Sequence, residues 1–190
     1  YDLSIPLRKV TKSDYLKLKG VAKTSNRFDI IAHEMVDAYS MSMRDINRYY
    51  ALLDKARKVI GEGRRARNDE PTASLANVGV VPVVLAMKVA RTDSYERLIR
   101  YGNVEELMNS FELCASAMKF IDQVCAMRLL GNIEQEPDEQ SKEKARRTML
   151  EALVHGIWLV DKESSPLIDS YRLVDDGWAL EALPDLAKLM

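Results

Sequence analysis

Residues 40–60 read Ser-Met-Ser-Met-Arg-Asp-Ile-Asn-Arg-Tyr-Tyr-Ala-Leu-Leu-Asp-Lys-Ala-Arg-Lys-Val-Ile, and this stretch predicts a well-signalled helix. Ser42 is a natural N-cap, and Asp45 three residues later supplies a capping-box-like carboxylate. The apolar residues recur at helical spacing and predict one buried face, made of Met43, Ile46, Tyr50, Leu53 and Ile60.

The opposite face of the same helix carries Arg44, Arg48, Ala51 and Lys55. Arg44 is unusual because a cation in the first turn lies against the positive end of the helix dipole. One interpretation is that Asp45, or an acid from elsewhere in the fold, neutralises an ordinary surface arginine. The other is that Arg44 faces a bound phosphate. The residues of the helix leave both interpretations open.

The remaining patterns predict an all-α fold, an irregular array of about six to eight helices with a short strand-like segment at residues 2–7. The apolar run from Ser74 to Ala90 is compatible with a buried strand or a buried helix. Its length and its Leu-Ala-Met-Lys-Val-Ala end favour a helix, with Pro82 tolerated near the first turn. Further helices are predicted over residues 13–18, 25–39, 93–101, 111–130 and 141–160, with another turn starting at residue 104.

Composition limits the classes of function. The 190 residues include 28 basic and 29 acidic side chains, and the formal charge of −1 argues against a strongly basic nucleic-acid binder. The longest apolar run, residues 78–87, is about half of the ~18 residues that a membrane span needs. No secretory signal is visible at the start. We therefore expect a cytoplasmic protein with no membrane span in this chain.

Neither the cysteines nor the histidine-containing helix predicts a metal or redox centre. Cys114 and Cys125 lie in one predicted helix, ~16 Å apart, which is too far for a disulfide, so both are interpreted as small core residues. Asp29, His33 and Asp37 follow i, i+4 spacing that suits metal ligands. With no fourth ligand, we interpret them as a solvated face.

Residues 61–72 are predicted to form a linker, because two glycines and a proline follow the long helix. The linker contains a basic cluster, Arg64, Arg65 and Arg67. These arginines are candidate contacts for an anion or an acidic partner. Since acidic residues flank them, a solvated loop is the alternative interpretation.

The segment Ser42-Met-Arg-Asp-Ile-Asn-Arg48 resembles the Ser-Leu-Arg-Asp-Ile-Asn-Arg signature that follows the nucleotide-binding core of the KAP family of P-loop NTPases. Other segments are similar to that family in the same order and spacing over residues 1 to 110: Asp2-Leu-Ser-Ile-Pro6, Ser13-Asp-Tyr-Leu16, the apolar run 80–90, and Ser94-Tyr-Glu-Arg-Leu98. The resemblance implies a lid-like helical region at 1–110, with residues 111–190 as a C-terminal helical extension packed on it.

In related AAA+ enzymes an arginine at the start of a lid helix contacts the terminal phosphates, a role called sensor 2. The resemblance implies that role for Arg44, with Arg48 as a helper. The chain departs from the family because it has no Gly-x-x-x-x-Gly-Lys-Ser/Thr loop: Gly61-Glu-Gly63 is followed by Arg64 and Arg65. A Walker B strand is also missing. ATP with Mg²⁺ is therefore expected only in a full-length protein whose N-terminal P-loop core holds it, and this chain alone is not expected to hydrolyse nucleotide.

Two functional hypotheses follow. In the first, the chain is the helical lid of a P-loop NTPase and couples the nucleotide to changes in a partner or in oligomeric state. In the second, it is a non-catalytic helical protein–protein interaction module. That second hypothesis expects broad apolar faces, including Val78 to Met87, to meet a protein partner or a second copy.

Overall fold

The computed structural model describes residues 26–64, 75–126 and 138–154. These ranges form seven α-helices and one π-helical segment, with no β-strand among them, which confirms the predicted all-α class. The strand-like segment at residues 2–7, the helix at 13–18, and the predicted elements beyond Val154 lie outside the described residues.

The helices are numbered here in chain order. They are α1 (Arg27–Ala38), α2 (Met43–Arg64), the π-helical segment (Leu75–Val80), α3 (Val81–Ala90), α4 (Asp93–Tyr101), α5 (Val104–Glu112), α6 (Ala115–Cys125) and α7 (Glu139–Val154). Helix α3 is central, because it packs against α1, α2, α4 and α5. Helix α6 packs against α1, α5 and α7, so one continuous apolar core joins all these elements.

Helix α2 begins as its sequence predicts. The backbone N–H of Asp45 donates to Ser42 Oγ at 3.2 Å, and the Ser42 hydroxyl donates to Asp45 Oδ2 at 2.5 Å. The predicted end of this helix is wrong, because α2 continues through Gly61 to Arg64. A glycine inside a helix costs only ~1 kcal/mol relative to alanine, which is too little to end a helix that is already formed.

The apolar run from residue 75 onwards is helical, as predicted, and enters α3 through the π-helical segment. Pro82 lies in the first turn of α3, directly after the π-helical segment, and its fixed φ is compatible with the helix. The hydroxyl of buried Tyr49 donates to the Pro82 carbonyl oxygen at 2.8 Å and fixes α2 against α3. Val78 and Val80 to Met87 are buried in the core, so the expectation that this run meets an external partner is wrong.

The single helix predicted over residues 111–130 is also wrong. Helix α5 ends at Glu112, and Cys114 is the N-cap of a new helix, α6. The break is stabilised from outside the segment: the Ser116 N–H donates to Glu34 Oε2 of α1 at 2.9 Å, and the Cys114 thiol donates to the same oxygen at 3.1 Å. A carboxylate at a helix N-terminus satisfies donors that the helix itself leaves unpaired.

Gly102 ends α4 in the left-handed conformation, with φ of 61°. Because a Cβ is disfavoured there, we expect Gly102→Ala to lower the free energy of unfolding by about 1 kcal/mol. Urea denaturation followed by circular dichroism measures the change. Gly102→Asn is the matched variant, since asparagine tolerates this conformation, and its loss should be smaller. Equal stability of Gly102→Ala and the parent chain would contradict the left-handed conformation of Gly102.

Candidate functional site

Arg44 and Arg48 lie on the exposed face of α2, as the periodicity predicts. Residues four apart on a helix are neighbours, with Cβ atoms ~5–6 Å apart. Both guanidinium groups therefore point from the first two turns of α2 to the same side. Two like charges at this spacing repel each other weakly unless an anion lies between or above them.

Arg44 forms no ion pair with any of the described residues. The neighbouring carboxylate of Asp45 instead accepts the hydroxyl of Ser42 as part of the helix cap. Several other arginines in the described ranges do have carboxylate partners: Arg57 pairs with Asp29, Arg97 with Glu106, Arg100 with Glu96, Arg146 with Asp122 and Arg147 with Glu105. The cap therefore does not neutralise Arg44.

A third cation comes from the neighbouring helix. Lys88 lies in the last turn of α3 and is half-buried. Burial lowers the pKa of its ammonium group, and the positive charge of Arg48 lowers that pKa further. Arg48 and Lys88 are thus close enough to repel each other across the contact between α2 and α3. We call Arg44, Arg48 and Lys88 the α2–α3 cationic cluster.

The sequence analysis did not include Lys88 in the site. One signal could have identified it: Lys88 is the only charged residue in the apolar run 78–90. A single charge in an otherwise apolar helix marks a turn where the side chain reaches solvent or a polar neighbour. Helical periodicity alone could not show that this lysine faces Arg48, which is forty positions earlier.

The side chains of the cationic cluster are hydrogen-bond donors with positive charge. A guanidinium group donates two parallel hydrogen bonds to phosphate oxygens, and an ammonium group adds a compact positive charge. Mg²⁺ needs carboxylate, carbonyl and water oxygens, which these three cationic side chains do not supply. The three side chains are therefore suited to an anion and not to the metal ion.

The sequence analysis also named three arginines after the long helix and three residues at metal-like spacing in α1 as candidates. Arg64 is the last residue of α2, and Arg65 and Arg67 lie outside the described residues. Within the described ranges no three histidine, cysteine or acidic side chains converge on a possible metal position. Asp29, one of the three residues at metal-like spacing, instead pairs with Arg57.

Cys114 and Cys125 lie at opposite ends of α6, where both are free and buried. The prediction that they are small core residues is confirmed. Burial raises the pKa of each thiol to about 12. Both thiols are therefore protonated near neutral pH, and the thiolate is the reactive form.

Helices that are long and apolar enough to cross a membrane are absent from the described part of the chain. Comparisons of the whole sequence with protein-family models, with curated proteins and with solved structures gave no match.

Proposed function

We propose that this chain is a nucleotide-sensing helical lid, in which the α2–α3 cationic cluster contacts the phosphates of ATP bound with Mg²⁺ by the P-loop core of a full-length cytoplasmic NTPase. The observation that carries the proposal is the setting of Arg44. This arginine is exposed in the first turn of α2, has no ion pair among the described residues, and lies beside Arg48. The similarity of residues 42–48 to the KAP signature supports the same assignment.

The electrostatics of the cluster favour an anion of several charges. The repulsion between Arg44 and the positive end of the α2 dipole costs ~0.3–1 kcal/mol. The repulsion between Arg48 and Lys88 adds to that cost. A bound triphosphate would be attracted to all three cations and to the positive end of the helix dipole, and these attractions would offset the repulsions. Hydrogen bonds to charged groups each contribute about 1.5–3 kcal/mol. Hydrogen bonds from two arginines and a lysine would therefore be strong enough to make the lid respond to the presence of the phosphates.

Contact with the nucleotide would move more than one side chain. Tyr49 joins α2 to the first turn of α3, and Ile46 and Leu53 are fully buried between α2 and its neighbours. A rigid pair of helices transmits a displacement at Arg44 to the elements packed on α3, namely α1, α4 and α5. Through those elements the nucleotide state would change contacts with a partner or with another copy of the chain.

The test is binding of a fluorescent ATP analogue to the 190-residue chain and to a longer chain that includes the P-loop core. We expect tight binding only when the core is present, weakened about tenfold to a hundredfold by Arg44→Ala. Lys55→Ala is the matched control, because Lys55 is exposed on the same face of α2. Equal affinities of the Arg44 and Lys55 variants, or a gene that encodes no P-loop core, would overturn the proposal.

The second candidate function is a non-catalytic interaction module. Two exposed apolar side chains favour it, since Tyr101 is 75% exposed and Leu113 is 55% exposed in the described part of the chain. They lie just outside the two ends of α5. Sedimentation analysis tests self-association through these two side chains: a Tyr101→Ser, Leu113→Ser double variant should dissociate an oligomer that the parent chain forms. Under this function nucleotide would not change the oligomeric state.

A further inference from the structure

A cavity of about 240 Å³ lies between α1 and α6, apart from the α2–α3 cationic cluster. Its apolar lining consists of Ile30 and Ile31 from α1 and Phe120 from α6. Ile31 and Phe120 are buried, and Ile30 is half-buried, so the cavity has an apolar floor and opens at the surface. Cavities of this kind bind small molecules that place apolar atoms on the floor and a polar group at the opening.

The opening of this cavity is cationic. Arg27 and Lys119 lie on opposite helices at its edge, with the carboxamide of Gln123 beside them. The Arg27 guanidinium carbon lies over the Phe120 ring, 5.4 Å from its centroid, so this cation is held at the edge of the apolar floor. Neither Arg27 nor Lys119 forms an ion pair with a described residue.

One acid, Glu34, is bonded to a residue that lines the cavity. Glu34 belongs to α1, and both of its oxygens accept hydrogen bonds from Ser116, which also lines the cavity. The thiol of Cys114 donates to the same carboxylate. Glu34 is thus held at the N-terminus of α6 and forms no ion pair with Arg27 or Lys119.

The size of the cavity limits the ligand. A cavity of ~150 Å³ holds benzene, so 240 Å³ accommodates one aromatic ring with a short charged arm. An aromatic ring suits the lining better than an alkyl chain does, since both the Phe120 ring and the planar Arg27 guanidinium stack on aromatic surfaces. The two cations at the opening favour a ligand whose short arm is negatively charged.

We propose that the α1–α6 cavity is a binding site for a small aromatic carboxylate. The ring packs on Ile30, Ile31 and Phe120, and the carboxylate lies between Arg27 and Lys119 with the Gln123 amide as an additional donor. This site does not depend on the lid function, because it uses different helix faces and different cations. A chain that ignores ATP can still bind such an acid here.

The test uses phenylacetate and the 190-residue chain labelled at its isoleucine δ1 methyl groups. We expect the methyl signals of Ile30 and Ile31 to shift saturably, with a Kd on the order of 1 mM for a ligand of about ten non-hydrogen atoms. Ile46 and Ile99 lie on other helices and should not shift. Phenylacetamide, which has the same ring and no charge, should bind at least about tenfold more weakly.

Charge-removing variants complete the test. Arg27→Gln and Lys119→Gln should each weaken phenylacetate binding by about tenfold, whereas Lys144→Gln, at an exposed lysine of α7, should leave it unchanged. The isoleucine methyl spectrum of each variant reports whether the fold is kept. The proposal is overturned if acid and amide bind equally, if Ile30 and Ile31 show no saturable shift, or if the cavity variants match the Lys144 control.

Discussion

Replacing Leu85 by alanine is expected to lower the free energy of unfolding by about 2–5 kcal/mol, because it removes three buried carbon atoms and leaves a cavity in the core. Leu85 is fully buried in the middle of α3, the helix that contacts α1, α2, α4 and α5. A cavity there would be bordered by several helices at once. Urea denaturation followed by circular dichroism, at pH 7, measures the loss.

Leu113→Ala is the matched control, since it removes the same atoms from a leucine that is 55% exposed. Its cost should lie within ~0.5 kcal/mol of zero. If Leu85→Ala cost no more than Leu113→Ala, α3 would have to lie at the surface. The run from Val78 to Met87 would then be available again as a contact for a protein partner.

Replacing Glu34 by alanine is expected to lower the free energy of unfolding by about 2–3 kcal/mol. The change leaves the Ser116 N–H and hydroxyl and the Cys114 thiol without their acceptor at the start of α6. It also removes the negative charge that interacts with the dipole of that helix. Glu143→Ala, at an exposed acid of α7, is the control and should cost ~0.5 kcal/mol or less.

The contribution of Glu34 should also depend on pH. Burial by itself raises the pKa of this carboxyl, but the hydrogen bonds from Ser116 and Cys114 outweigh it, and the net pKa is lowered from 4.5. A carboxyl with a lowered pKa stabilises the fold above its unfolded-state pKa, and that stabilisation is lost as the pH falls through the folded-state pKa. Unfolding of the parent chain and of Glu34→Gln, measured from pH 7 downwards, should therefore converge in acid. If the difference between their free energies of unfolding stayed constant to pH 3, the hydrogen bonds from Ser116 and Cys114 to the Glu34 carboxylate would not be stabilising the fold.

Local signals predicted much of the helical organisation. Helix α4 begins at Asp93 and ends before Gly102 as its sequence indicates, because Thr92 and Gly102 act on their own neighbours through a side-chain cap and a left-handed turn. Ser42 fixes the start of α2 in the same way. Pro82 in the first turn also distinguishes the start of a helix from the interior of a strand.

Long-range contacts account for what the sequence did not predict. The break between α5 and α6 is stabilised by Glu34, which lies eighty positions before Cys114. The residues near the break therefore do not predict it. The extension of α2 past Gly61 shows that a weak local preference does not decide where a packed helix ends. In the candidate site, periodicity identifies the exposure of Arg44 and Arg48, but the approach of Lys88 depends on how α3 packs against α2.

The identity of the anion is the part of the site that the described residues do not encode. Arginine and lysine side chains recognise phosphate groups in general, and the nucleotide would be selected by the core that holds it. The resemblance to the KAP family therefore stays a prediction about Arg44, and the physical claim beneath it is that the α2–α3 cationic cluster binds phosphate.

The most direct measurement of that claim is a titration of the 190-residue chain with inorganic triphosphate, observed at the arginine Nε positions by NMR. We predict saturable shifts at Arg44 and Arg48, with a Kd on the order of 1 mM because no P-loop contributes. Arg100, which is paired with Glu96, serves as the internal control and should show no comparable shift. Small, unsaturable shifts of equal size at all of these arginines would contradict the proposed site.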